Sequence, residues 1–463
     1  MADRRRNDAL AHWVARAQSS YSELATELQR EARRAGHHDI APGKSRVGRW
    51  INDGEQPRSP VPELLAATLT RMCRLPRPLT PTDLGFARQP RTPAPSGGWF
   101  PHAVMASILN TTRSDAVTDD DTPSSTPLLS ARELRDAVQP WLHLPDPELP
   151  PATRAGRIGM SDVRAIQRTT DAFRALDNAH GGGLSRRAVV GQLHHVTSLL
   201  HHGRTTDEVG RHLFVAVADL ASVAGWMTHD VGRHAEAQHY LLLGLQAAKS
   251  AGPAGAGIAG HLLNCLSRQA NHLERHEDAL DLVQAAQYGT RKLPPGRLRA
   301  LLSTLEARCL ATLGQLPESR RSLAAADDAL AADDPDAPTW ARWFDRAEHG
   351  VTVGVCDLIA SDHAPDRAAH AVQQISSGTA HRPAERTRSR AFDQIVLARA
   401  HTRTGDLEAA DAATAAALDL FGHVTSTRIA DRLRELDREL SARATSRTGR
   451  ATRERIHAAL ARP

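Results

Sequence analysis

The sequence predicts an all-α chain in two parts: a small N-terminal domain of short helices, then a long body of paired helices. Three observations carry this. Apolar residues recur at helical spacing from residue 10 onward, with no convincing run of strand-like alternation. From about residue 200, a unit of two helices joined by a turn repeats every 40 to 42 residues. Positive charge is confined to the first part. Residues 1–100 hold 16 Lys and Arg against 10 Asp and Glu, a net +6, whereas the whole 463-residue chain carries +5.

The first helix follows from the stripe Leu10, Trp13, Val14 and Ala17. Ser20 and Glu23 form a capping-box pattern that opens a second helix, with Leu24, Ala25 and Leu28 as its apolar face. Gly36 is a plausible stop for it. The third helix is expected from Lys44 to Asn52. Val47, Trp50 and Ile51 lie at i, i+3, i+4 and point inward; Ser45, Gly48, Arg49 and Asn52 form the opposite stripe. Asp53-Gly54 ends this helix. Ser59 is expected to cap a fourth, with Pro60 in its first position and Val61, Leu64, Leu65, Thr68, Leu69 and Met72 facing the core.

The third helix has the split that a DNA-recognition helix needs: apolar anchoring behind, donors in front and little bulk between helix and groove. Arg49 suits guanine and Asn52 suits adenine. The expected DNA-binding residues are Lys44, Ser45, Arg46, Arg49, Asn52 and, on the turn that follows, Arg58, placed to meet phosphate. Arg4-Arg5-Arg6 could serve as an arm touching the backbone or the minor groove. The implied partner is double-stranded DNA.

Leu24-Ala25, the run from Ser45 to Trp50, Gly54, Pro57 and the apolar helix Glu63 to Leu69 resemble the Cro/repressor-like helix-turn-helix of the XRE regulators. The stretch between Ala25 and Trp50 is roughly ten residues longer than that pattern, so Gly36 to Pro42 must loop out. The domain is assigned to residues 1–86. Residues 87–130 read as a linker, rich in Pro, Thr and Ser, with an apolar patch from Trp99 to Leu109 and a mobile stretch over 111–127. Residues 131–203 read as a helical connector, broken at Gly181-Gly182-Gly183 between helical stretches 161–179 and 185–202.

Residues 204–463 carry the repeats. Their turns begin at Gly232, Glu274, Gly314 and Gly405, with a further turn expected at His363 to Ala368. Helix pairs at this period form an α-solenoid, because each buries its face only against the next. The turns, each followed by a small residue, resemble the tetratricopeptide repeat, though the period is longer than that repeat's usual 34. The predicted fold is therefore an all-α chain: an N-terminal helix-turn-helix domain plus a C-terminal TPR-like α-solenoid.

A wider resemblance rests on Val47 to Pro62, Leu79 to Phe86, Phe173 to Gly183 and Ala224 to Gln238. Together these are similar to a family of actinobacterial, Streptomyces-type regulators with an XRE-type N-terminal domain and a TPR-like body. The resemblance implies transcriptional control, in that family associated with sporulation and secondary metabolism.

Trp226, Tyr240, Trp340, Trp343 and Phe344 are scarce aromatics, expected chiefly as packing residues. A groove lined by Trp340, Trp343, Asp345 and Glu348 is the candidate site for a peptide, small molecule or protein partner. His194-His195 and His201-His202, with His212, share a helix face, but no Cys or Asp completes a metal set, so ordinary histidines are expected and no metal. Arg186 and Arg187 open a helix where an anion could sit. Arg386, Arg388 and Arg390 are expected in solvent. No catalytic motif is recognisable, so no enzyme activity and no cofactor are expected. Cys73, Cys265, Cys309 and Cys356 form no C-x-x-C pair, and no apolar run reaches spanning length. The expectation is a cytoplasmic, nucleoid-associated, homodimeric regulator. Its rival is a helical adaptor whose N-terminal domain makes protein contacts only.

Overall fold

The structure, a computed structural model, describes residues 6–17, 19–34, 40–57, 60–73, 75, 79–81, 83–86, 98–117, 126–149, 158–183, 185–332, 337–424, 426–443 and 446–461. Among them it is all-helical, and the chain divides into two compact units, Met1–Pro93 and Ala94–Pro463.

The first unit holds α1 (Asp8–Arg16), α2 (Tyr21–Arg34), α3 (Lys44–Asn52) and α4 (Val61–Met72). The expected capping box forms: Glu23 N–H donates to Ser20 Oγ (3.2 Å), and Ser20 N–H to Glu23 Oε2 (2.8 Å). The expected stripes all face one core, where Leu10, Leu24, Leu28, Val47, Ile51 and Leu65 are sealed from solvent. Leu84 and Phe86 complete it. Asn7 fixes that closure. Its Oδ1 caps α1 by accepting from Leu10 N–H (3.0 Å), its Nδ2 donates to the Leu84 carbonyl (2.9 Å), and its own N–H donates to the Ile51 carbonyl (2.8 Å). Two details differ from expectation. Helix α4 starts at Val61, so Pro60 precedes it and Pro62 occupies the first turn. Gly36, Arg58, Ser59, Arg4 and Arg5 lie outside the described residues.

The second unit begins inside the stretch read as linker. There α5 (Pro101–Val117) packs against α8 (Arg186–His202) and α10 (His234–Ser250) through Val104, Met105 and Ile108. The apolar patch from Trp99 to Leu109 thus docks on the body, as its sequence allowed, while a helix running to Val117 replaces the start of the mobile stretch expected from 111. Its polar residues mislead because they have buried partners. Asp115 receives Arg186 bidentately (2.6 and 3.2 Å) and the Tyr240 hydroxyl (2.7 Å). Arg186 is therefore committed to Asp115 and does not form an anion site. Then come α6 (Ala131–His143) and α7 (Met160–His180), which with α8 pack on the body and do not stand apart as a connector.

The repeats follow as pairs: α9 (Asp207–Asp230) with α10, α11 (Ala256–His272) with α12 (His276–Thr290), and α13 (Arg297–Thr312) with α14 (Leu316–Ala331). They continue as α15 (Arg346–Ala360) with α16 (Arg367–Ala380), α17 (Thr387–Thr404) with α18 (Leu407–Phe421), and α19 (Thr427–Arg443) with α20 (Arg447–Leu460). The first helices of successive pairs stack on one another from α9 to α19 and form one inner layer.

The four expected turns share one geometry. Each has a left-handed residue: Gly232 (φ 85°), Glu274 (φ 59°), Gly314 (φ 77°) and Gly405 (φ 84°). The next residue's N–H reaches back five positions, as in Arg233 to Thr228 (3.0 Å) and Arg275 to Ala270 (2.9 Å), the bond of a Schellman stop. Five residues after each turn a small side chain is buried: Ala237, Ala279, Ser319 and Ala410.

The inner layer is also joined across its ends. Arg388 on α17 donates to both oxygens of Asp177 on α7 (2.7 and 2.6 Å). Asp230, the last residue of α9, lies 3.4 Å from Arg388 and accepts from Arg428 on α19 (3.2 Å) and Ser426 (2.9 Å). Gly182 permits the approach of α7 to α9, since a Cβ there would lie 2.6 Å from the Met227 carbonyl oxygen. Burial opposes the charge on Arg388, but Asp177 and Asp230 outweigh it and raise its pKa. Arg386 pairs with Asp345 (3.1 Å). The expectation that Arg386 and Arg388 are solvated thus fails, because acids far away in sequence are their partners, half-buried Asp345 for the first and buried Asp177 and Asp230 for the second.

Among the described residues no helix is long and apolar enough to cross a membrane, and all four cysteines are free.

Candidate nucleic-acid interface and ligand cavity

Helix α3 divides as its sequence requires. Val47, Trp50 and Ile51 are buried, Trp50 to 2% exposure, while Lys44, Ser45, Arg46, Arg49 and Asn52 are exposed. Gly48 leaves that outer face low, with the Tyr21 ring 3.6 Å from where a Cβ would stand. Arg49 meets Glu55 at 3.3 Å, an exposed pair of small net strength. One polar atom is left over inside: the Trp50 indole N–H is buried without a partner. The start of α3 is tied to α2 by Gln29 Nε2 donating to the Pro42 carbonyl (3.1 Å). This anchors the near end of the extended loop that the sequence required.

In the body, the inner layer encloses a cavity of about 410 Å³. Helices α7, α9, α11, α15, α17 and α19 all contribute to it. One face of α11 forms its floor: His261, Asn264, Cys265 and Arg268, at i, i+3, i+4 and i+7. Asn264 is 1% exposed, and apart from an interaction with the Cys265 thiol its amide has no hydrogen-bond partner. Burial, with Arg174 and Arg268 adding to it, pushes the His261 imidazole down to about 3, so this ring is neutral; its Nδ1 is also unpartnered. Burial likewise pushes the Cys265 thiol up to about 12, which leaves it inert as a nucleophile at neutral pH.

Six arginines and three carboxylates line the cavity among the described residues. Most are paired. Arg174 binds Asp171 and Asp219, and Arg388 binds Asp177. Arg342 reaches the Ala337 carbonyl (2.8 Å), and of the arginines on the helices Arg268 and Arg428 are the least satisfied. Arg268 lies 3.6 Å from Glu348, whose carboxylate makes a closer bond to Arg382 (2.7 Å). Its guanidinium stacks on Trp226 and Trp343, 5.6 and 5.2 Å from the ring centroids. Arg428 stacks on Trp226 (4.6 Å) and Phe392 (5.0 Å), shares Asp230 with Arg388, and keeps a buried Nε without a partner. Its pKa falls to about 10, through burial first and then Arg388 and Arg268 against the pull of Asp230.

Of the four residues expected to line one groove, two line this cavity and a third lines another. Trp343 and Glu348 reach this cavity. Trp340 is buried, stacks on His261 (5.2 Å) and lines a separate, larger groove of about 1000 Å³. No residue lining that groove carries a buried unpartnered polar side-chain atom. Asp345 caps α15 by accepting from Glu348 N–H (2.9 Å). Helical spacing cannot be applied to 340–345, which lie in a turn between α14 and α15, and this is why the four were grouped wrongly. The missed residues are His261, Asn264, Arg268 and Arg428. A polar stripe at helical spacing on the otherwise apolar α11 was the available signal. The histidines at 194, 195, 201, 202 and 212 do not assemble, and no group of metal-binding side chains occurs among the described residues. His194 bonds Thr112 (2.8 Å).

Residues 10–87 match the SP15 N-terminal domain family. The matched segment runs from the first residues of α1 to just past Phe86, and so spans the helical core of the first unit. Comparison with curated proteins finds no match to the chain.

Proposed function

We propose that this protein is a DNA-binding transcriptional regulator. Helix α3 enters the major groove, and the solenoid body receives a signal and pairs two chains. The observation that carries this reading is the division of α3: five polar side chains, two of them arginine and one lysine, exposed on a helix anchored by three buried apolar ones. The net +6 of residues 1–100 supports it, as does the resemblance of that segment to XRE regulators. Arg49 and Asn52 read base edges, while Lys44 and Arg46 hold phosphate. Two-fold pairing would match half-sites about one helical turn apart. Such a protein works at the nucleoid.

The test is retention of the full chain on duplex DNA at increasing salt. With about four to six phosphate contacts per domain, log affinity should fall with log salt at about −0.9 per contact. Arg49→Ala should cost about 1–3 kcal/mol at a selected site and relax base preference, whereas Arg46→Ala should weaken all sequences alike. Affinity indifferent to salt, with Arg46→Ala silent, would leave the adaptor reading, which the Arg49–Glu55 pair on this face favours.

A further inference from the structure

Three features of the body cavity have no internal explanation. Asn264 is buried, and apart from an interaction with the neighbouring Cys265 thiol its amide has no partner. A buried amide in that state is destabilising unless something pairs with it. Arg428 holds a buried, unpartnered Nε. Arg268, stacked on Trp226 and Trp343, has as its carboxylate contact a 3.6 Å approach to Glu348, which Arg382 already engages. All three line one space of about 410 Å³, within the range of small-molecule sites.

We propose that this cavity binds a small organic anion, whose carboxylate or phosphate is gripped by Arg268 and Arg428 while Asn264 pairs with a polar group deeper in. The two guanidiniums lie against the rings of Trp226, Trp343 and Phe392. A guanidinium held face-on against a ring keeps its in-plane N–H groups available to fork an oxyanion. Glu348 and Asp230 are each shared between two arginines, and Asp393 and Asp177 hold Arg382 and Arg388 bidentately, so Arg268 and Arg428 are the members of these sets left with N–H groups for an anion. Val223, Ala175 and Phe392 supply surface for the rest of the molecule. The volume suits a drug-sized molecule and is too small for a folded partner.

This inference rests on the reading of the body as the signal-receiving part, and not on DNA binding. The experiment is calorimetric titration of the full chain with three probes: 1-naphthoate, 1-naphthyl phosphate and the neutral 1-naphthamide. At least one anion should saturate at one per chain, and bind about tenfold or more tighter than the amide, a difference of about 1.4 kcal/mol. Which anion wins distinguishes carboxylate from phosphate. Arg268→Gln should abolish the preference for anion over amide, and Arg268→Lys should restore part of it. Asn264→Leu, which removes the buried amide, should weaken anion and amide alike while raising the melting temperature. The proposal is overturned if neither anion saturates, if the amide binds as tightly as the anions in the unaltered protein, or if a folded Arg268→Gln variant keeps the preference. DNA retention read in parallel separates the two ideas. Failure of the anions with DNA binding intact removes this ligand class alone. Failure of DNA retention with anion binding intact removes the regulator reading alone.

Discussion

The two units solve the problem of a helical core in different ways. In the first, local pattern does most of the work: each helix shows its apolar stripe, and the buried polar side chains among the described residues are Asn7 and Thr68, both uncharged, with Asn7 alone reaching far along the chain, to Leu84. In the second, charges are buried at long sequence separation. Asp177 and Arg388 are 211 residues apart, and Asp230 and Arg428 198. The first core is specified by hydrophobic period, the second additionally by which acid meets which base. A buried ion pair adds little net stability compared with apolar packing, but breaking one partner is severe.

The sharpest way to test this difference is to remove Asp230. Asp230→Ala leaves Arg388 and Arg428 facing each other in a buried space. It should cost about 3–5 kcal/mol, at the upper end because two cations lose a partner. Differential scanning calorimetry should show the body's transition fall steeply while DNA retention by α3 survives below it. A body transition unmoved within a degree would refute the idea that these charges organise the array.

The matching cut in the first unit is Trp50→Ala, expected to cost about 3–5 kcal/mol by cavity formation. Trp50→Phe should cost far less, under about 1.5 kcal/mol, because it also removes the unpartnered indole N–H. Circular dichroism would decide. If Trp50→Ala stays folded but loses DNA, the helix is rotated and this residue faces the groove.

Acid should weaken the body more than the first unit. Burial holds His234 at about 4 and His261 at about 3, and keeps His229 well below the ordinary value. In the unfolded chain histidines take up protons below about pH 6.5. Between that value and the folded ones the unfolded state binds more protons, so stability rises with pH and is lost on acidification. Asp393, raised by burial to about 6, works in the opposite direction with Asp177, Asp219 and Asp357, four carboxylates against seven histidines lowered by burial among the described residues. The body's melting temperature should therefore fall by several degrees from about pH 7 to pH 5. A constant or rising value would contradict the buried neutral histidines.

The smallest effect sharpens the repeat itself. Glu274 is the only non-glycine with positive φ among the described residues, and it occupies the place that glycine holds in the three equivalent turns. Glu274→Gly should stabilise by about 0.5–1 kcal/mol, the left-handed penalty of about 1–2 less the added freedom of the unfolded chain. Chemical denaturation would measure it, and destabilisation would mean that the side chain matters more than the backbone.

These contrasts explain what could be read from residues alone. The limits of α3 and the four left-handed turns were legible because each is written in fewer than ten consecutive positions. Helix α5 was hidden because Thr112 and Asp115, which look like linker residues, find buried partners on α8 and α10. The cavity was hidden because its walls come from six helices, and its arginines are distinguished from ordinary surface ones only by which acids lie nearby. Trp343 and Glu348 were found and Arg268 was not, since spacing along one stretch of chain says nothing about convergence of several.

The bonds from Asp230 to Ser426 and Arg428 carry one more consequence. In an open array each pair touches only its neighbours, so lineages gain or lose a unit without harm. Here the first and last turns of the superhelix are latched to each other. Deleting or duplicating one helix pair would carry Arg388 and Arg428 out of reach of their acids. The number of pairs is therefore fixed by the chemistry of the latch, and this body should change in evolution by substitution and loop growth, with its repeat count held constant.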